Sequence, residues 1–144
     1  MSDLFDTKGV DDFLQSIKNT QKAYKKEVKK FMRKEGSELR KRTVKTAKSY
    51  VGTKTGNYHK SIKRGKYYKY DGNGADSIRV YSGAPAYHGH LIEYGHEMVG
   101  HKPNKKRSGY VNGHLVFKSA ADSFESNYEN DCEKFNNDIM KVLE

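Results

Sequence analysis

Five of the six histidines fall between positions 59 and 101, as His59, His88, His90, His96 and His101, with Glu93 among them. Imidazole and carboxylate together form the usual donor set of a zinc site, and a metal-bound water is a hydrolytic nucleophile. On a strand, His88 and His90 would share one face and could hold a metal with Glu93 or His96 as third ligand. On a helix each residue advances ~100°, so the same pair would diverge by about 200°. The spacing of Tyr87, Leu91 and Tyr94 at i, i+4 and i+7, followed by Gly95, predicts a short helix closed by that glycine. The helix reading therefore separates the two histidines and predicts no metal site. Glu93 has no nucleophile in a strand-turn-helix elbow and no second acid placed by motif, so catalysis by an acid–base pair is not indicated. Its predicted role is a buried acceptor that fixes the helix against the sheet. Gly65, Gly72 and Gly74 do not form a phosphate-binding loop. Cys132 is the single cysteine, which excludes an internal disulfide and a cysteine-based zinc site, and its helical spacing predicts a core position.

Phosphate contact is the other chemistry in view. Residues 22–48 carry twelve Lys and Arg against only Glu27, Glu35 and Glu38, whereas residues 121–144 are acidic, within a net charge of +10. Lys102, Lys105, Lys106 and Arg107 form a second basic group. Nothing resembles a base-reading motif, so binding of nucleic acid would be sequence-independent and steeply salt-dependent. The opposite signs of the two ends equally suit a subunit whose surfaces meet different partners.

The elements that must carry these residues read as an α+β domain in the order α-β-β-α-β-α, a single domain over 1–144. Apolar residues at three-and-four spacing predict a long helix over about 8–50. Gly36 is expected to bend it, with a break into 8–35 and 37–50 as the alternative. The sheet region spans about 59–118. It comprises a strand over 59–70, a turn at Asp71-Gly72-Asn73-Gly74, a partner strand Ser77–Tyr81, a polar loop from Glu97 to Gly109, and a strand from Val111 to Phe117. Ser119, with Asp122 three residues on, predicts the start of a final helix over about 120–143. Its apolar face is Ala121, Phe124, Tyr128, Cys132, Phe135, Ile139 and Val142. Only 34% of residues are hydrophobic, yet there are 11 Tyr and 6 Phe. A core so thin predicts that aromatic surface is covered on assembly. The absence of a ~20-residue apolar run and of a leader-like start predicts a chain made and kept in the cytoplasm, with no membrane partner.

Three segments carry a resemblance. Thr55-Gly56 followed by Ser61-Ile62, Ala84-Pro85-Ala86-Tyr87 running to Leu91-Ile92-Glu93-Tyr94-Gly95, and Val116-Phe117-Lys118-Ser119-Ala120 resemble a family of tailed-bacteriophage morphogenesis proteins, minor tail components of the neck between head and tail. Family members commonly have proline before the Thr-Gly pair, prolines in the third segment and Tyr-Ala where this chain has Ala86-Tyr87. The resemblance implies a non-enzymatic virion protein without cofactor, forming a six- or twelve-fold ring between the head-closure connector and the tail terminator or tail tube. Head-to-tail rings need two different lateral faces. The basic first helix (Lys26, Lys30, Arg33) and the acidic last helix (Glu125, Glu129, Glu133) of neighbouring subunits are the candidates, and the 102–107 loop or the basic helix is the candidate DNA-facing element. A sequence-independent nucleic-acid-binding protein is the alternative, and a metal-dependent hydrolase using the His88/His90 region is the third reading.

Overall fold

A computed structural model describes residues 7–101, 103 and 105–143. Within them the chain is α+β: α1 Thr7–Tyr50, α2 Asn57–Ser61, β1 Ile62–Arg64, β2 Tyr68–Lys69, β3 Asp76–Ser77, β4 Val80–Ser82, α3 Gly89–Tyr94, β5 Gly95–Val99, β6 Arg107–Asn112 and α4 Val116–Leu143. Lys102 lies outside the described residues. Among those residues no helix is long and apolar enough to cross a membrane.

α1 runs unbroken for 44 residues through Gly36. The glycine has a packing purpose: a Cβ there would lie 2.9 Å from Ile78 Cγ2 and 3.2 Å from Arg64 Cδ, so its absence lets the hairpin rest directly on the helix. That hairpin is the predicted one, with two differences. Residues 57–61 form α2 instead of the beginning of a strand, because Gly56, in the left-handed region at φ 72°, turns the chain, and its carbonyl accepts the Lys60 N–H at 3.0 Å. The ladder is also split. β1 pairs antiparallel with β4 in the register Ile62↔Ser82, whereas β2 pairs with β3 in the register Tyr68↔Ser77, one residue out of step. The Gly65 N–H, bonded to the Arg79 carbonyl at 2.7 Å, bridges the two halves.

The second half departs further from the pattern. The polar run from Glu97 to Gly109 is not one loop, since its two ends belong to β5 and β6, which pair from Gly95↔Asn112 to Val99↔Arg107. Val116 and Phe117, read as the end of a strand, are the first residues of α4, so the helix starts four residues before the predicted Ala120. Ser119 is therefore inside the helix, its N–H bonded to the Leu115 carbonyl at 2.9 Å.

Two packed regions hold these parts together. Ala47, Tyr58, Ile62, Ala86 and Val116 form a buried cluster, flanked by Val44, Val51, Val80, Ile92 and Phe117. α1 and α4 form the other, an antiparallel seam. Phe31 stacks on Phe135 at 4.6 Å, the Tyr128 hydroxyl reaches Met32 Sδ at 3.9 Å, and Arg42 lies over the Phe124 ring while bonding the Ser123 carbonyl. Cys132 is half-buried there.

The seam also buries an acid. Glu35 is 2% exposed, neither carboxylate oxygen has a hydrogen-bond partner, and the nearest cation, Lys34 Nζ, stands 3.8 Å away. Burial raises its pKa, and Asp131 adds to the rise. A carboxyl whose folded pKa exceeds its unfolded value favours folding below the unfolded pKa and loses that contribution as pH rises through the folded one. Glu35→Gln should therefore raise the urea midpoint at pH 7, with the gain shrinking as pH falls towards about 4. A gain that is absent at pH 7, or that grows on acidification, would contradict the burial of an ionisable carboxyl at this seam.

Candidate assembly site

The first four N–H groups of a helix have no partner within it, and they mark its positive end. In α4 two of them are met by a residue from another element. Glu93 Oε2 accepts the Phe117 N–H at 2.9 Å and Oε1 accepts the Lys118 N–H at 3.1 Å. The Glu93 carbonyl also accepts the Leu115 N–H at 3.1 Å, and the Ile92 carbonyl takes the His114 N–H at 2.8 Å. One buried acid on α3 thus fixes where α4 starts and in which direction it leaves. The adjoining Tyr58 phenol is pushed up to about 12, chiefly by burial and further by the Glu93 charge.

Around this node the three sequence segments converge. Ser61 Oγ donates to the Tyr58 carbonyl at 2.6 Å and lies 2.8 Å from Ser82 Oγ. Ser82 Oγ in turn donates to the Ala86 carbonyl at 3.2 Å, just past the cis Ala84–Pro85 bond. Ile62, Ala86 and Val116, one from each segment, are all fully buried in the same cluster. Thr55 stays exposed, with its hydroxyl 3.3 Å from the Asn57 N–H. Gly95 closes α3 at φ 84°, a conformation that disfavours any side chain, and its N–H bonds the Leu91 carbonyl.

The face of α3 differs from the Tyr87/Leu91/Tyr94 stripe. Tyr87 precedes the helix, whose N-cap is His88, and the buried positions are Gly89 and Glu93, one turn apart. Leu91 is half-buried, while Tyr87 and Tyr94 are 77% and 71% exposed. With Val80, Ser82, His90 and Glu93 these two tyrosines line an open groove of about 390 Å³. Its chemistry suits recognition of a protein surface: phenol rings offer apolar area with a polar tip, over a floor whose acid is already committed to backbone amides.

The remaining candidates are dispersed. His59 is buried beside Thr53, with Nε2 3.2 Å from Oγ1; His96 is half-buried in β5, and His88, His90 and His101 are exposed. Among the described residues no three His, Cys, Asp or Glu side chains come together as a metal would require. Arg107 is held by Glu97 through two contacts, at 3.1 and 3.2 Å, whereas Lys105 and Lys106 are exposed. Lys26, Lys30 and Arg33 on α1 and Glu125, Glu129 and Glu133 on α4 are all exposed. Ser82 is a member of the site that no motif in the sequence points to. Only the pairing of Ile62 with Ser82 brings the two serines together, and no local spacing announces it.

Removing the acceptor should leave two helix-terminal amides unmet. Glu93→Ala is expected to lower the unfolding free energy by about 1–3 kcal/mol, and Glu93→Gln, which keeps one acceptor, by less. Urea titration of both variants measures this, and equal stability of Glu93→Ala and the parent chain would rule out the cap.

Comparison with known proteins bears on the same residues. No curated protein and no solved structure matches the chain. A family model described as "Bacteriophage HK97-gp10, putative tail-component" matches residues 11–95, from the second turn of α1 through the closing glycine of α3. The match spans more than half of the chain, includes the first two of the three segments and ends two residues beyond the Glu93 cap; the chain belongs to the HK97-gp10-like family of phage tail components.

Proposed function

We propose that this chain is a non-enzymatic ring subunit of the neck or tail-completion assembly, joining a DNA-filled head to the tail of a tailed phage or prophage. The observation that carries this reading is the family match over residues 11–95. The uses of the matching residues agree with it. Ser61, Ile62, Ala86 and Glu93 are spent on core packing and backbone hydrogen bonds, which is architecture and not chemistry. Tyrosines stand exposed around the groove instead of completing a core, as expected of a subunit that buries them against a neighbour.

Ring closure needs two unlike faces, and the opposed charges of α1 and α4 supply them. Among the described residues, Lys26, Lys30, Arg33, Glu125, Glu129 and Glu133 form no ion pair within the chain, so their charges are available to neighbours. Lys105 and Lys106, at the end of the β5–β6 ribbon, are the cations best suited to face DNA in the lumen of such a ring. Head-closure and tail-terminator or tail-tube proteins are the proposed axial partners.

Electron microscopy of lysates from a phage lacking this gene tests the role. Separate DNA-filled heads and finished tails are expected; abnormal or missing tails would move the protein into tail assembly, and normal infectious particles would reject a structural role. The lateral contact has its own test. Combined Glu125→Lys, Glu129→Lys and Glu133→Lys should abolish joining while leaving the chain folded by circular dichroism, and full infectivity of that variant would reject the charge-paired interface.

A further inference from the structure

α1, at 44 residues, is about 24 Å longer than the 28-residue α4 at ~1.5 Å rise per residue. The antiparallel seam fixes where the excess lies. Arg42 meets Ser123, Met32 meets Tyr128, Phe31 meets Phe135, and Tyr24 shares a shallow depression with Ile139 and Val142. α4 therefore runs out level with Thr20 and Ala23, and the preceding turns of α1 pass beyond it.

Those turns are not polar. Val10, Phe13, Leu14 and Ile17 lie within about 100° of one another around the helix. They continue the strip of surface that, farther along, holds Val28, Met32, Glu35 and Leu39. α4 covers that later part, but the four leading residues are 59%, 65%, 48% and 40% exposed. A contiguous apolar stripe of this kind marks an interaction surface, and here it prolongs a seam already built for an antiparallel helix.

The pattern of the stripe indicates which helix. Laid antiparallel on a second copy of itself about a two-fold axis between residues 13 and 14, Val10 faces Ile17, Leu14 meets its own counterpart on one side of the stripe and Phe13 meets its counterpart on the other. The flanks agree. Asp11 and Lys18 sit about 20° apart on one side of the stripe. Antiparallel helices bring like flanks together, so Asp11 of each copy meets Lys18 of the other in two equivalent ion pairs. The opposite flank, Gly9, Ser16 and Thr20, carries no charge and opposes nothing. Parallel pairing would set Asp11 and Lys18 against that neutral flank and gain no ion pair.

We infer that the leading turns of α1 form a two-fold antiparallel contact between two copies of this chain, through Val10, Phe13, Leu14 and Ile17, with Asp11 and Lys18 paired across it. Such a contact is isologous, in which the same patch serves both partners. A cyclic ring closes through two different faces, so this contact is additional to ring closure. It stands whether or not the chain is a neck subunit.

Sedimentation velocity on the full chain over a concentration series is the test. A dimer is expected, and Phe13→Asp with Leu14→Asp should convert it to monomer with an unchanged circular dichroism spectrum and, at concentrations where the parent chain is itself monomeric, an unchanged urea midpoint, since these side chains are exposed. Asp11→Lys alone should weaken the dimer about tenfold by turning two attractions into two repulsions, and adding Lys18→Asp should restore it. A chain that is monomeric at every concentration would overturn the inference and leave the stripe to another virion protein. A dimer that survives Phe13→Asp with Leu14→Asp would place the contact elsewhere, and one insensitive to both charge changes would reject the antiparallel register.

Discussion

The arrangement of this protein depends on one carboxylate. Without Glu93 at its start, α4 would present unmet amides at a partly buried junction, and an N–H withdrawn from water without an acceptor costs about as much as a lost hydrogen bond. With it, the first turn of α4 is tied to α3, and Val116 is thereby set into the cluster with Ile62 and Ala86. The direction of α4 follows, as does the seam with α1. An ionised acceptor is well suited here because it satisfies two donors at once and sits at the positive end of the helix.

A second constraint is the shortage of apolar residues. A chain that is 34% hydrophobic cannot cover two long helices and three short ladders on both sides. The apolar groups it has are concentrated at the Ile62–Val116 cluster and along the α1–α4 seam. The β5–β6 ribbon has almost no buried side chain. A two-stranded ribbon is marginal by itself in water, so its order depends on the backbone bonds that anchor its base beside α3 and on whatever it meets in a particle. The same shortage accounts for the exposed tyrosines and for the uncovered leading turns of α1.

Much of this was legible in the residue pattern. Three-and-four spacing over more than forty residues makes α1 visible, because a helix that buries one face must repeat its apolar residues at that period. The Asp71–Gly74 turn announces the first hairpin, and Gly95 announces the end of α3. The segments around Ser61, Ala86 and Val116 marked the regions that meet in the core. Other features were hidden for definite reasons. A strand and a helix entry look alike over only five residues, which is why α2 is not visible in the sequence. Short strands whose side chains mostly face water have little alternation to detect, so β5 from Glu97 onward and the start of β6 read as a loop. The start of α4 was misplaced because a local Ser-x-x-Asp signature at Ser119 resembles a cap, whereas the actual acceptor is 24 residues upstream of Phe117.

Spacing and identity of nearby residues along the chain were enough to specify the two long helices, the short α3, the first turn, the separation of positive and negative charge, and the family. Tertiary structure alone decided that Glu93 caps α4, that Ser61 meets Ser82, that Gly36 admits Ile78, and that the Tyr87 and Tyr94 rings face outward. Each of these is a meeting of residues far apart in the chain. Hydrogen-bond geometry and close packing act at distances of a few ångströms in space, and no periodicity along a single strand of sequence records which partners will come within that range.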